Sequence, residues 1–506
     1  MPLLPSSLVI LAVDIGTGSS RGLLIDIHLK ILSTHQLTNN LFEPHSGWVE
    51  QDPAEVFITT LQVIRQAAAE AYKSGWKIAG ICLSSAVSSL LAVNENGDPL
   101  CNAITWADSR SQIQVDELHE KTSWLYKRTG VPLHASYWLP KLLWLQRHQA
   151  GLVNKTARWM GLKDYIIWRL TGEFVTDVTI AAATGMLNLQ TLQWDDLVCS
   201  LAGITPNQLP RIQPTTFIIP QIKADIAADL GLTQNIPIIL GSGDGMLANL
   251  GSGVLEPGQV ATTIGSSGAC RTMSTQPVLD DLTRVWSYPL IDNLWVIGGA
   301  NNSGGLIVNW FQKQFMPDSD NNDKSWIQAA EAVPAGSGGL IFLPYLFGER
   351  APIWNANARG VLIGLENRHT FQHVARAVLE GTIFALYDIY QALCLNIPLV
   401  KEIRVSGGYT HSPFWLNIQA SMFEKELIVL ENHECSALGA AILGFYALGL
   451  YPDLQSGVAL IKVKETILPQ PEQSKQYQNL IPLYHLAYHQ LKPLFEGLET
   501  FRSTLI

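Results

Sequence analysis

Three short stretches of this 506-residue sequence set glycine beside small hydroxyls or a carboxylate in a way that suits phosphate chemistry. They are Asp14-Ile15-Gly16-Thr17-Gly18-Ser19-Ser20-Arg21, Gly241-Ser242-Gly243-Asp244-Gly245 and Gly265-Ser266-Ser267-Gly268. Glycine lets backbone N–H groups approach an anion closely and Ser or Thr adds a hydroxyl, so the first and third loops together suit one polyphosphate. Each alone also reads as an ordinary hairpin tip. Asp14 adds a hard oxygen ligand of the kind Mg2+ takes, directly or through water. Neither loop ends in Gly-Lys-Ser/Thr, and neither completes a dinucleotide fingerprint. Asp244, between glycines at the end of an apolar run, belongs at the mouth of a cleft and is the candidate general base, although an Asp-Gly pair equally supports its own turn. One oriented carboxylate suffices for phosphoryl transfer, because the base positions the acceptor hydroxyl and takes its proton while other donors stabilise the transferred group.

The elements that must hold these loops are legible around them. Leu8 to Val13 is a buried-strand run, and Arg21 to Asp26 is again strand-like, so the first loop is the tip of a hairpin. Asp52, Pro53 and Glu55 stand in N-cap, first-turn and capping-box order, which predicts a helix from Pro53. Ile78–Ser84, Ser89–Val93, Ile236–Leu240 and Gln259–Ile264 are further strand runs, interleaved with helical patterns, which gives an α/β class. A third strand-to-glycine turn, Ile403-Arg404-Val405-Ser406-Gly407-Gly408, precedes helical spacing from Phe414. Ile15-Gly16-Thr17-Gly18-Ser19 and Ile264-Gly265-Ser266-Ser267-Gly268 lie about half the chain apart and partly repeat, consistent with two related halves or with chance. The expected domains are residues 1–250 and 251–506, divided between Gly245 and Glu256.

Composition narrows the partners. Hydrophobic residues at 47% and charged residues at 15% describe a compact globule large enough for two cores. A net charge of -10 without any Lys/Arg-rich stripe excludes nucleic acid. The six cysteines lie far apart and predict buried free thiols in a reducing cytoplasm. Nothing approaches the run of roughly 18 apolar residues that a membrane helix needs, and no Lys or Arg precedes the first apolar run as a secretory signal requires. Exposed aromatics among the 15 tryptophans would suit a homodimer surface, but core or cleft positions suit them better.

The chain resembles the FGGY carbohydrate kinases over nearly its full length. Gly360-x-Leu362-x-Gly364-Leu365, seven residues, then His373-Val374-x-x-Ala377-Val378-Leu379-Glu380 fits that family's C-terminal signature. Lys141-Leu142-Leu143-Trp144-Leu145 continues its other signature, with Trp138 where the family has Pro, Ser or Thr. The resemblance implies two ribonuclease H-like domains of the actin and hexokinase type, an interdomain catalytic cleft, ATP and Mg2+. It also implies roles: Asp14 assists Mg2+, Asp244 is the base, and Thr17, Gly18, Ser19 and Arg21 form the first phosphate loop. Gly265 and Ser266 carry the second loop, Gly305 and Asn309 contact nucleotide, and Gly407, Gly408 and Ser412 form the adenosine turn.

For the acceptor, Asn102 to Arg110 and Pro344 to Trp354 resemble the gluconokinase branch, which implies a sugar acid such as D-gluconate. Ser88, Trp106, Asp108 and Arg110 are the expected substrate residues, with Arg110 as a bidentate fork for the carboxylate or, alternatively, paired with Asp108 or Glu117. Val87-Ser88 stands where the family often has Met-His, which keeps a ketose such as xylulose open as the acceptor. A non-catalytic actin-like nucleotide-binding module is the alternative of another class.

Overall fold

The computed structural model describes residues 7–233, 235–316, 325–397 and 399–503. Two sheets of the same topology form its frame. In the first, β1 (Leu8–Ile15), β2 (Ser19–Asp26) and β3 (Ile31–Thr38) run antiparallel. β4 (Lys77–Ser85) lies parallel to β1, β6 (Ile238–Gly243) parallel to β4, and β5 (Ile218–Ile219) closes the edge. β1 and β6 are buried along almost their whole length, as central strands covered on both faces must be, whereas β3 at the edge alternates between half-buried and exposed positions. In the second sheet, β7 (Gln259–Ile264), β8 (Gly268–Ser274) and β10 (Leu294–Asn301) are antiparallel neighbours, with β9 (Trp286–Ile291) outside β10. β11 (Glu402–Ser406) and β12 (Leu427–Leu430) continue it in parallel from β7, with β13 (Val463–Ile467) at the edge. Each sheet therefore repeats one plan: an antiparallel three-strand unit whose first strand leads into two parallel strands. Both glycine loops are the β1–β2 or β7–β8 tips of that plan, in equivalent places.

The helices follow from caps and small residues. α1 (Pro53–Ser74) starts where Asp52 accepts the N–H groups of Ala54 and Glu55, and it stops at Gly75 in the left-handed region. α2 (Asp244–Gly251) follows β6 directly, so the Asp244 carboxylate stands in a helix's first turn. α3 (Gly305–Phe315), α4 (Phe371–Cys394) and α5 (Pro413–Phe423) pack in the second half. α6 (Cys435–Ala447), although late in the chain, packs on β1, β4 and β6 of the first sheet and runs against α2. Its alanines join Ile10, Ala12 and Ile239 in one core with Ala261, Met273 and Trp286 of the second sheet, so hydrophobic packing is continuous across the junction. Six free cysteines are found, of which Cys82, Cys199, Cys270 and Cys435 are buried as expected; Cys101 is half-buried, and Cys394, on the last turn of α4, is exposed. Among the described residues no helix is long and apolar enough to cross a membrane, and only Trp124 of the tryptophans is exposed.

Candidate active site

Where β6 gives way to α2, the Asp244 carboxylate enters a cavity of about 320 Å³ whose walls come from both halves. Thr17, Ala86, Val87, Ser88 and Trp106 line it from the first half, and Ser266, Ser267, Ala269, Arg271 and Arg350 from the second, with Tyr137, Trp286, Tyr288 and Trp354 as aromatic surface. Burial, then repulsion from Asp14, pushes the Asp244 carboxyl up to about 6, against the pull of Arg271, the Gly245 N–H and Arg21. That N–H donates to Asp244 Oδ1 at 2.6 Å, so the local turn contact and the cleft position coexist. A carboxylate with this value is ionised at neutral pH yet basic enough to take a proton.

Asp14, at the end of β1, is held from two sides. Ser84 donates to its Oδ1 at 2.7 Å, and the Arg21 guanidinium pairs with its Oδ2. Arg21 also reaches Glu434 at 2.5 Å, just before α6, so one arginine ties the first phosphate loop to the other half. The amides of Thr17, Gly18, Ser266 and Ser267 donate to no acceptor among the described residues, which leaves converging donors at both loop tips. Trp106 donates its indole N–H to the Thr17 hydroxyl at 2.9 Å, which couples the first phosphate loop to the cavity wall. Ser19, at the start of β2, is half-buried beside them. Two carboxylates that feel one another at the ends of β1 and β6 of the same sheet, Asp14 and Asp244, make a sparse oxygen set. Among the described residues no cluster of three or more His, Cys, Asp or Glu exists to cage a metal. That set fits Mg2+, which takes one or two carboxylates and fills its octahedron with water and phosphate oxygens.

A second cavity, of about 250 Å³, brings together Gly265, Gly305, Asn309, Gly408 and Ser412, five residues scattered over the sequence, with Tyr409, His411 and Trp415. Gly407 beside it has φ +102°, and a Cβ there would stand 2.4 Å from the Ile264 carbonyl oxygen. A Cβ at Gly305 would stand 2.6 Å from the Gly265 oxygen, which accepts the Gly305 N–H at 2.8 Å. Tight packing thus explains Gly305 and Gly407. Cβ atoms at Gly18, Gly265 and Gly408 would meet no protein atom within 4 Å, so these three border open space. Ser412 caps α5 by accepting the Trp415 N–H, which occupies one lone pair of its hydroxyl. A larger cavity, of about 1000 Å³, lies around Asp388, His485 and Lys492 and shares no lining residue with the other two.

The acceptor residues divide. Ser88 and Trp106 line the Asp244 cavity; Asp108 and Arg110 do not. The Arg110 side chain is 3% exposed, pairs with Asp108 at 2.7 Å and Glu50 at 2.6 Å, and lies over the Trp48 ring. Asp108 further accepts the Val49 N–H, so the pair braces the Trp106 loop from behind. Burial with two carboxylates leaves Arg110 no free face for a ligand, and Glu117 pairs with Arg147 instead. Ser88 sits at φ +63°, donating its hydroxyl to Ala183 O at 2.5 Å, while Lys141 of the Lys141–Leu145 motif donates to its carbonyl at 2.8 Å. Burial lowers that lysine to about 7. The cations that do line the cavity, Arg271 and Arg350, escaped the sequence reading. Arg350 belongs to the Pro344–Trp354 run, whereas strand alternation places Arg271, and that register depends on pairing with β10. Nearby, burial raises Glu349 to about 7, and it accepts from Ser303 Oγ at 2.5 Å, so the segment carrying Arg350 is tied to the entry of α3.

Two repeated α/β sheets, glycine loops facing each other across a cleft and a carboxylate between them define a phosphotransferase of the actin-like class. Residues 9–251 match the N-terminal domain of the FGGY family of carbohydrate kinases and residues 260–448 its C-terminal domain, and the chain belongs to that family. It is 36% identical to a gluconokinase of Bacillus subtilis (strain 168), over 94% of this chain and 94% of that protein. It superposes on a gluconate kinase from Lactobacillus acidophilus with a TM-score of 0.92 at 35% identity, over 97% of this chain and 99% of the other. A ligand-bound xylulose kinase from Lactobacillus acidophilus matches with the same TM-score of 0.92 and 35% identity, over 97% and 100%. The protein is an ATP-dependent sugar kinase.

Proposed function

We propose that this kinase transfers the γ-phosphoryl group of ATP to the C6 oxygen of D-gluconate, yielding 6-phospho-D-gluconate and ADP. One observation carries the choice of a sugar acid: the acceptor cavity holds two guanidinium groups, Arg271 and Arg350, against the single carboxylate of Asp244. A cavity with surplus positive charge favours an anionic polyol over a neutral one. Gluconate satisfies both ends, with a carboxylate for a cation and a terminal hydroxyl for Asp244.

In this reading Asp244 orients the C6 hydroxyl and takes its proton as the oxygen bonds to phosphorus and the bond to ADP breaks. The loop amides at Thr17, Gly18, Ser266 and Ser267 hold the phosphates, and the Gly305–Asn309–Gly408 cavity takes the nucleoside end. Asp14 would hold Mg2+, directly or through water, and the ion would neutralise phosphate charge when bound. Aromatic walls exclude the water that would otherwise accept the phosphoryl group. Gluconokinase likeness supports the same acceptor. A ketose acceptor has the support of the xylulose kinase likeness.

An acceptor panel in a coupled ADP-release assay tests the proposal: gluconate should give the highest kcat/KM, and xylulose turnover well above gluconate would reject it. Asp244→Asn should lower kcat by about 10²–10⁴-fold while ATP still binds. Unchanged sugar-dependent ADP release in that variant would remove Asp244 from the chemistry, and no release by the wild type with any polyol would favour the non-catalytic module.

A further inference from the structure

We propose that Arg271 is the side chain that binds the acceptor's carboxylate, and so the residue that sets a preference for sugar acids over neutral sugars. The inference rests on the sugar-acid reading above and assigns one group to it.

Arg271 lies on β8, opposite Gly298 of β10 and Ala261 of β7. Strand alternation turns Ala269 and Arg271 to one face, and both line the Asp244 cavity. Its space is made by glycines on opposite sides of the cleft. A Cβ at Gly298 would lie 3.0 Å from Arg271 Cγ, and a Cβ at Gly245 would lie 3.1 Å from its Nε and Nη2. Larger residues at either position would press on the stem or the fork.

The second observation is what the guanidinium lacks. Arg21 holds Asp14 and Glu434, Arg110 holds Asp108 and Glu50, and Arg350 donates to Asn302 Oδ1 at 2.9 Å and Asn301 O at 3.0 Å. Arg271 has no ion pair or hydrogen bond among the described residues, and its Nη1 is buried with no partner. Asp244 is near enough to attract it but makes no ion pair with it. A half-buried cation with one nitrogen shut off from both water and partner is unfavourable, and a carboxylate that supplies two parallel acceptors relieves it with the geometry a planar fork matches best. Arg350 already spends donors on the backbone and an amide and lies over the Trp106 ring, which makes it wall rather than anchor.

Arg271→Met removes the charge and keeps much of the stem. With gluconate, kcat/KM should fall about 100-fold, chiefly through KM, as expected when one side of a buried charge pair is removed. Neutral acceptors, xylulose and glucitol, should lose far less than gluconate does, so that the gluconate-to-neutral ratio of kcat/KM falls, and Arg271→Lys should recover part of the gluconate loss. ATP binding by calorimetry verifies that the variants are folded. If Arg271→Met does not fold, Arg271→Lys carries the test alone: a gluconate KM equal to that of the wild type overturns the assignment, and one raised by a larger factor than any change on neutral acceptors supports it. Equal losses on acid and neutral acceptors would mean that Arg271 only positions Asp244, and would also overturn it. A wild type that turns over xylulose but not gluconate overturns the functional reading itself, before any variant is compared.

Discussion

Asp244 has two titration consequences of opposite kind. Its carboxyl must be ionised to take the acceptor's proton, so kcat/KM should fall about tenfold per pH unit below about 6, the value to which burial and Asp14 raise it. A pH–rate profile flat down to pH 4.5 would contradict this. Because the folded value lies above the unfolded one, ionisation opposes folding. The cost is absent below about 3.9, grows up to about 6 and is full above that. Asp244→Asn should therefore melt at a higher temperature than the wild type at pH 8, with the gain vanishing toward pH 4. Thermal scans across that range check it. The residue that catalyses thus destabilises the protein in which it sits, as active-site carboxylates held in confined surroundings do.

At the scale of elements, the position of Asp244 depends on how closely two helices touch. A Cβ at Gly251 of α2 would stand 1.9 Å from the Cys435 oxygen of α6, and one at Gly439 of α6 would stand 1.9 Å from the Leu247 oxygen of α2. Backbone meets backbone, so no side chain fits between them. Gly439→Ala should separate the helices, cost about 1–3 kcal/mol of stability, and tilt α2 enough to lower kcat more than it weakens ATP binding. Equal melting temperatures for variant and wild type would refute the close contact. Strand runs, the α1 cap and the hairpin tips were legible in sequence because they depend on neighbours within a few residues. This glycine pairing was not, since its members lie 188 positions apart, from 251 to 439.

For the whole molecule, Arg21 is a clasp between halves. It grips Asp14 on one side and Glu434 on the other. With Glu434→Gln the guanidinium has Asp14 as its one anionic partner and should compete harder for the oxygens that Mg2+ would share. The Mg2+ concentration for half-maximal activity should rise a few-fold, and an unchanged value would separate the clasp from metal use. The same scale explains the misplaced acceptor residues. Asp108 and Arg110 have the residue types of a sugar site, but Glu50 and Trp48 fold over them and leave Trp106 alone facing the cavity.

From sequence alone came the α/β class, the two glycine loops, Asp14, Asp244 and the family signature, because backbone propensity and loop chemistry are written in consecutive residues. Only the tertiary structure decided which cations meet the acceptor. Arg110 and Arg271 have the same side chain, and although Asp108 beside Arg110 offered a pairing, the chain neighbours do not show that Arg110 is closed off and Arg271 faces the cavity. One is enclosed by its neighbour Asp108 and by Glu50 from a distant segment, and the other is left unpaired in a slot between Gly245 and Gly298. Whether a charge is spent or available depends on what packs against it, and that is decided by contacts between segments far apart in the sequence.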